Sequence, residues 1–465
     1  MTAKIKRITS AICALVLLTT AMTGCKKNTS NDSQYSVVEI VEYEDVSGGD
    51  GNKDTNSADA NANAASNSQS GDNGSVNPAD YKGTTVKYAT WEHADGIDTD
   101  AAIAKFKKKY GINVELVTVP QATYVQEITS LINAGKAPEV IRDWEYFPSY
   151  LTIGQPLENA KINLSDPIWS QDALKSREIN GKHYSLTTVG GLFNSPGAIV
   201  FYNKKLLNSN GIRTPEDYKN AGKWNFDAFY QIMKSVAALG NGYTGVYLDD
   251  FGGVIARSFG TDFYKYENGK FTSGISDPML TTVWQMVTKW NKEGLVDKNT
   301  GRDIFIKGRC GLAVTGAYGL KKDGYWRSMN SKDLGYIELP ELNGVKPSSP
   351  APNTLWGICK GSKNPVAAGI FLRYYLDPNN YNVSSEFISS DAANYAAKLS
   401  TANNIASFSN ARTGVCLVNG ISQKKYYQDL MDVDPSQVPQ YFQSVSNELN
   451  AYLRAAQKVL DDNSK

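Results

Sequence analysis

Two short stretches crowd aromatic rings and charged groups together: Trp91-Glu92-His93 and Arg142-Asp143-Trp144-Glu145-Tyr146. Rings offer flat apolar faces, while carboxylates and guanidinium offer paired hydrogen bonds. Gathered at one place, such groups suit the non-covalent capture of a small ligand. Covalent chemistry has less to work with. The 465 residues hold only two histidines, His93 and His183. A multi-histidine metal site therefore finds no support in the spacing, and a nucleophile–histidine triad could use only one of them. Cys310, Cys359 and Cys416 lie far apart with no CxxC pattern and read as buried, inert thiols. One disulfide among the three stays open in an exported chain. There is no GxxxxGK[ST] loop, no GxSxG elbow and no glycine-rich dinucleotide turn. Asp95-Gly-Ile-Asp98-Thr-Asp100 lacks calcium-loop spacing, and helix capping explains it better. Asp249-Asp250 could serve as the acid and base of a glycosidase. Adjacent strand residues point to opposite faces, however, which argues against a shared catalytic face. No enzyme activity, cofactor or metal is expected.

The elements that must position these groups follow from hydrophobic period and capping. Thr84 to Trp91 is β-branched and aromatic, as a strand should be. Asp98-Thr99-Asp100 then caps a helix whose apolar face is Ile103, Phe106 and Tyr110, and Gly111 ends it. Ile112 to Val119 alternates as a second strand. Tyr124 to Ile132 is a second amphipathic helix closed by Gly135, and Pro138 to Ile141 opens a third strand. This β-α-β-α-β order predicts a parallel sheet with right-handed crossovers. Ligands on such sheets gather at the carboxyl ends of the strands. The two aromatic and acidic stretches fall there.

Composition bounds the rest. Lys plus Arg number 48 against 47 Asp plus Glu, 41% of residues are hydrophobic and 20% are charged. That balance excludes a wholly disordered chain or a membrane bundle, and nucleic acid is not the expected partner. Lys4, Lys6 and Arg7 precede an apolar run from Ala11 to Leu18, too short to span a bilayer and typical of an export signal. It ends in Ala21-Met22-Thr23-Gly24-Cys25, which resembles the lipobox of bacterial lipoproteins, with Met22 where Leu is usual. The resemblance implies cleavage before Cys25 and its diacylation, and two acyl chains anchor stably where one does not. Residues 26–80 carry three Lys against ten acids and are rich in Asn, Ser, Asp, Gly and Ala. They read as a flexible tether with a reach of roughly 40 Å. Within it, Tyr35 to Tyr43 alternates apolar and acidic residues as a strand would.

A set of landmarks in the body resembles the extracellular solute-binding proteins of ABC importers, in the sugar-binding group that includes maltose-binding protein. Asn133-Ala-Gly-Lys-Ala-Pro-Glu-Val-Ile141 is similar to the family's small-Gly-x-x-Pro-Asp-hydrophobic element, with Glu139 in place of Asp. Phe201-Tyr-Asn-Lys-Lys-Leu-Leu207, Gly211-Ile-Arg-Thr-Pro215, Trp224 and Phe229 resemble the start of its second lobe. Tyr266-Glu-Asn-Gly269 and the helix after Asp277-Pro278 are similar too. Phe305 to Gly316 resembles the Phe-x-x-Gly-(Lys or Arg) run. Leu339-Pro340, Trp356-Gly-Ile and Lys360 to Ala368 close the pattern.

The resemblance implies an α/β fold of the periplasmic-binding-protein (Venus flytrap) type, two lobes joined by crossing hinge strands with ligand between them. It implies a signal over 1–24, a lipid-anchored tether over 25–80, lobe one over 81–195 and mainly lobe two over 196–338. Residues 339–465 then return and complete both lobes. Crossings are expected near Phe193 to Val200 and Leu339 to Ile358. The expected ligand contacts are Trp91, Glu92, Asp143, Trp144, Glu145, Asn194, Tyr318 and Trp356, with His93, Asp250, Arg257 and Trp326 behind them. The implied partners are a carbohydrate, an oligosaccharide by preference, and the permease subunits of an ABC transporter. Membrane contact is expected only through the Cys25 lipid, on the extracellular face, by a monomer. A peptide, polyamine or anion in the same fold, a ligand-presenting sensor and, more distantly, a surface glycosidase are the alternative readings.

Overall fold

The computed structural model describes residues 76–91, 95, 97–144, 146–189, 192–193, 198–240, 242–297, 301–347, 354–399 and 424–463. The signal, Cys25, the tether with its 35–43 segment, and Cys416 lie outside the described residues.

Ten strands form two main sheets. They are β1 (Thr85–Thr90), β2 (Asn113–Thr118), β3 (Val140–Trp144), β4 (Gly154–Gln155), β5 (Ala198–Asn203), β6 (Thr244–Leu248), β7 (Val296–Asp297), β8 (Cys310–Gly316), β9 (Leu334–Glu338) and β10 (Thr354–Cys359). The first sheet has the order β2-β1-β3-β10-β4 and the second β7-β6-β8-β5-β9. The chain thus leaves the first sheet, builds the second, and returns through β10.

The opening unit follows the rules of its sequence. Val86 and Tyr88 of β1 point into the core. Asp98 then caps the helix Thr99–Tyr110 by accepting from the Ala101 amide at 2.9 Å. Gly111, at φ 68°, closes that helix in the left-handed conformation that glycine adopts without strain. β2 and β3 both run parallel to β1, as a β-α-β-α-β chain requires. The Glu139 carboxylate, 4% exposed, accepts the Lys87 amide at 2.7 Å and so fastens β3 to β1. The sheet is mixed rather than wholly parallel, because β10 and β4 add antiparallel strands at its other side.

In the second sheet every residue of β5 is buried, which fits a central strand covered on both faces. It pairs antiparallel with β8 and β9, while β8 and β6 run parallel. Asn225 and Asp277 cap the helices Phe226–Ala237 and Pro278–Lys292 that cover this sheet. The last helix, Val438–Asn463, packs on a hairpin formed by Tyr264–Glu267 and Lys270–Ser273 and on the Ser149–Thr152 turn of the first half. Phe147 meets Tyr266 and Phe271 of the hairpin at 5.2 and 6.0 Å between ring centres, so apolar contact runs from one half to the other. Among the described residues no helix is long and apolar enough to cross a membrane.

Candidate functional site

Trp91 follows β1 directly, and Trp144 is the last residue of β3. The two strands are parallel, so both rings stand at the carboxyl edge of the first sheet. Their centres lie 6.0 Å apart with planes at 69°. Tyr124 meets Trp91 edge-on at 5.7 Å and stacks on Tyr146 at 5.3 Å with planes at 1°. Its hydroxyl donates to the Ala89 carbonyl at 2.8 Å and accepts from the Arg142 amide at 3.0 Å, tying β1 to β3 just below the ring pair. Trp91 and Trp144 are both only partly buried, which leaves apolar ring surface for a ligand.

Beneath these rings lies a charged layer. Arg142 and Asp143 are neighbours on one strand and point to opposite faces, and each has its own counter-ion. Arg142, 1% exposed, pairs with Asp95 and donates to the Tyr88 hydroxyl at 3.1 Å. Asp143, fully buried, accepts from Arg177 Nε at 2.6 Å and from the Ser185 hydroxyl at 2.9 Å. Asp95 also accepts from Tyr375 at 2.6 Å. Asp98 caps its helix, so two of the three carboxylates of the calcium-like stretch, Asp95 and Asp98, are used within the protein.

Across from this edge, Tyr318 follows β8. Its hydroxyl donates to the Asp323 carbonyl at 3.1 Å, and its ring meets Tyr325 at 5.0 Å. Burial and Asp323 push its hydroxyl pKa up, and the positive charges of Arg327, Arg142 and Arg302 partly offset that. Tyr318 therefore lies within electrostatic reach of Arg142 on β3 and of Arg302 and Arg327, which stand in turns. Arg302 rests 3.8 Å over the Tyr325 ring and pairs with Asp249 at 3.3 Å. Asp249 in turn accepts from Thr315 at 2.8 Å and Tyr247 at 3.1 Å. The Arg302 side chain keeps 40% of its surface exposed.

The expected contacts divide accordingly. Trp91, Trp144 and Tyr318 sit at partly open positions. Glu92, His93, Glu145 and Asn194 lie outside the described residues. Asp143, Trp356 and Trp326 lie in the interior instead of lining an open surface. Trp356, 1% exposed, is opposite Arg142 on β10, and its indole donates to Tyr88 at 2.8 Å. Trp326, 2% exposed, fills space between Phe201 and Phe305. Asp250 and Arg257 pair at 2.7 Å with side chains only 14% and 10% exposed. Asp249 and Asp250 do not lie on a strand as expected: the strand ends at Leu248 and both sit in the turn Asp249–Gly252, with Asp250 at φ 49°, where they serve two separate ion pairs. Cys310 and Cys359 are separate buried thiols, and burial pushes the Cys359 thiol up to about 12 and that of Cys310 higher still, so both stay protonated. Among the described residues no cluster of His, Cys, Asp or Glu could hold a metal.

Arg142, Arg302 and Tyr325 were not expected as site residues. A charged residue directly after the apolar pair Val140-Ile141, still within the strand, was the available signal for Arg142. Arg302 sits in a polar turn with no such mark.

The chain thus combines a two-sheet α/β fold with aromatic and paired polar groups at the strand ends. Residues 90–381 match the family described as bacterial extracellular solute-binding protein. The chain belongs to this family of non-catalytic binding proteins, the solute receptors of ABC transporters. No curated protein matches the sequence. Among solved structures, the chain is similar to the GacH receptor of Streptomyces glaucescens, at TM-score 0.58 and 16% identity over 79% of this chain and 98% of that one. It is similar to maltose-bound MalE3 of T. maritima, at TM-score 0.59 and 16% identity over 79% and 99%. It is also similar to UgpB of Mycobacterium tuberculosis in complex with glycerophosphocholine, at TM-score 0.56 and 15% identity over 80% and 98%.

Proposed function

We propose that this chain is a lipid-anchored receptor that captures a carbohydrate, an oligosaccharide by preference, between its lobes and passes it to the membrane subunits of an ABC importer. In this reading the signal ends at residue 24, Cys25 carries the lipid on the extracellular face, and residues 25–80 tether the body. Residues 81–195 and, mainly, 196–338 make the two lobes, and 339–465 completes both. The protein acts as a monomer and leaves its ligand chemically unchanged.

One observation carries the sugar reading: a partly open pair of tryptophan rings at the carboxyl edge of the first sheet, above an arginine, Arg142, that is paired with a carboxylate. A sugar presents an apolar C–H face that stacks on a ring and hydroxyls that meet carboxylate and guanidinium edges. Arg142 with Asp95, Arg302 with Asp249 and Arg257 with Asp250 each balance their charge locally, which suits a neutral ligand better than a free anion or a polyamine. Acarbose and maltose are the ligands named for GacH and MalE3. Glycerophosphocholine, named for UgpB, makes a glycerophosphodiester the alternative to include in any screen.

The test is a thermal-shift screen of the chain from Lys26 onward against mono- and oligosaccharides, glycerophosphodiesters, peptides and polyamines. A ligand at 100 times its dissociation constant adds about 2.7 kcal/mol of stability, an easily visible shift. Shifts confined to glycans support the proposal. Shifts confined to another class keep the receptor and remove the sugar.

A further inference from the structure

The Arg142 guanidinium lies between two indoles. Its carbon is 4.7 Å from the ring centre of Trp91 and 4.7 Å from that of Trp356. It is also fixed in its own plane. Asp95 pairs with it, and the Tyr88 hydroxyl accepts from it at 3.1 Å. Tyr88 is held in turn: it accepts from the Trp356 indole at 2.8 Å and donates to Asp95 at 2.9 Å. Phe193 meets Trp356 edge-on at 5.7 Å, and Phe193 belongs to the segment through which the chain leaves the first sheet. Trp356 itself lies on β10, the strand by which the chain returns. One column of packed groups therefore connects Phe193, Trp356, Arg142 and Trp91, from both inter-sheet connections to the partly open ring at the sheet edge.

We propose that Arg142 is a positioning residue that fixes the Trp91 ring as a binding platform and ties it to the two connections between the sheets. This deepens the reading of Trp91 as a ligand-stacking residue and rests on it. A planar, always-charged guanidinium can stack on both faces at once, whereas a lysine ammonium cannot. With the platform backed on one face by a buried ion pair, the ring loses little freedom when ligand covers the other face, which lowers the ordering loss on binding.

The experiment reads Trp91 without any ligand. Among the described residues Trp91 and Trp144 are the tryptophan pair in ring contact, at 6.0 Å and 69°, a geometry that gives an exciton couplet in far-ultraviolet circular dichroism. Trp91→Phe defines how much of the couplet belongs to this pair. Arg142→Lys keeps a positive charge beside Asp95 and removes the planar guanidinium, with its ring contacts and its bond to Tyr88. It is expected to lose at least half of the amplitude that Trp91→Phe removes, in a protein that still melts cooperatively. A lysine variant with the full couplet would overturn the proposal, because the ring then keeps its place without the guanidinium. If that variant does not fold, Trp356→Phe takes its place, since it thins the stack from the other side at a buried aromatic position. The same loss is then expected, and an unchanged couplet again refutes the proposal. A merely stabilising role would lower the melting temperature and leave the native couplet intact. A silent glycan screen would not alter this readout, so the two readings fail separately.

Discussion

Asp262 offers a prediction whose size can be worked from its surroundings. Its carboxyl is 1% exposed, just before the hairpin that the last helix covers. Oδ1 accepts from the Tyr427 hydroxyl at 2.6 Å and the Phe263 amide at 2.7 Å, while Oδ2 has no partner. Burial pushes its pKa up to about 7 from an ordinary 3.8, although Arg257, Tyr427 and the Phe263 amide pull the other way. A raised carboxyl pKa means that the folded chain holds a proton the unfolded chain has released. Its stabilising contribution is therefore complete below pH 4 and is lost as pH rises through 7. The difference is worth about 4 kcal/mol across that window, or about 1.4 kcal/mol per pH unit in its middle. Asp262→Asn, the neutral isostere, should remove this dependence. Urea unfolding of both proteins at pH values from 4 to 8 reads the difference directly, because all other titrating groups cancel. The wild type should lose stability relative to the variant by several kcal/mol between the two ends. A difference that changes by less than about 1 kcal/mol would refute the assignment of a protonated, desolvated carboxyl.

Other consequences follow from the same reasoning. Lys321, 1% exposed, donates to the Leu192 carbonyl and lies over the Phe387 ring, and burial lowers its pKa to about 7 despite Glu386. The folded chain releases this proton before the unfolded chain does, so wild-type stability should rise between pH 7 and 10, and Lys321→Met should abolish that rise in the same urea assay. Arg177→Met strands the buried Asp143 carboxylate and should cost about 3–5 kcal/mol in chemical unfolding, far more than loss of an exposed pair. Cys25→Ala should move the protein from the membrane fraction to the medium in cell fractionation, with the body's melting temperature unchanged.

Much of the first sheet was legible because each of its elements carries a local signal. Asp98 and Gly111 mark the ends of one helix, and alternation marks β2. The order of elements likewise put Trp91 and Trp144 at the carboxyl ends of their strands without any knowledge of tertiary contacts. What alternation could not give was depth. Trp356 and Trp326 carry the same ring as Trp91, yet one faces Arg142 across a strand pair and the other packs on Phe201 and Phe305. Only strand register decides that, and register between β3 and β10 joins residues about 200 positions apart. The Trp356-Gly357-Ile358 landmark has a physical reason of the same long-range kind. A Cβ at Gly357 would lie 2.0 Å from the Tyr150 hydroxyl and 2.5 Å from the Tyr184 carbonyl, so only glycine lets β10 enter the sheet. Asp143 misled for a related reason: in sequence a carboxylate between Arg and Trp looks available, whereas the fold gives it to Arg177 from a segment 34 residues away.

The central claim is that the Trp91 edge of the first sheet receives a sugar that is bound and released unchanged. Calorimetric titration with the glycan that stabilises the chain most in the thermal screen, carried out on wild type and on Trp91→Ala, tests it most directly. A one-to-one complex, recovery of intact glycan, and affinity at least tenfold weaker in the variant, about 1.4 kcal/mol, is the predicted result. Equal affinity in the two proteins would contradict the site. Heat only from a peptide, polyamine or glycerophosphodiester, with every glycan silent, would contradict the sugar.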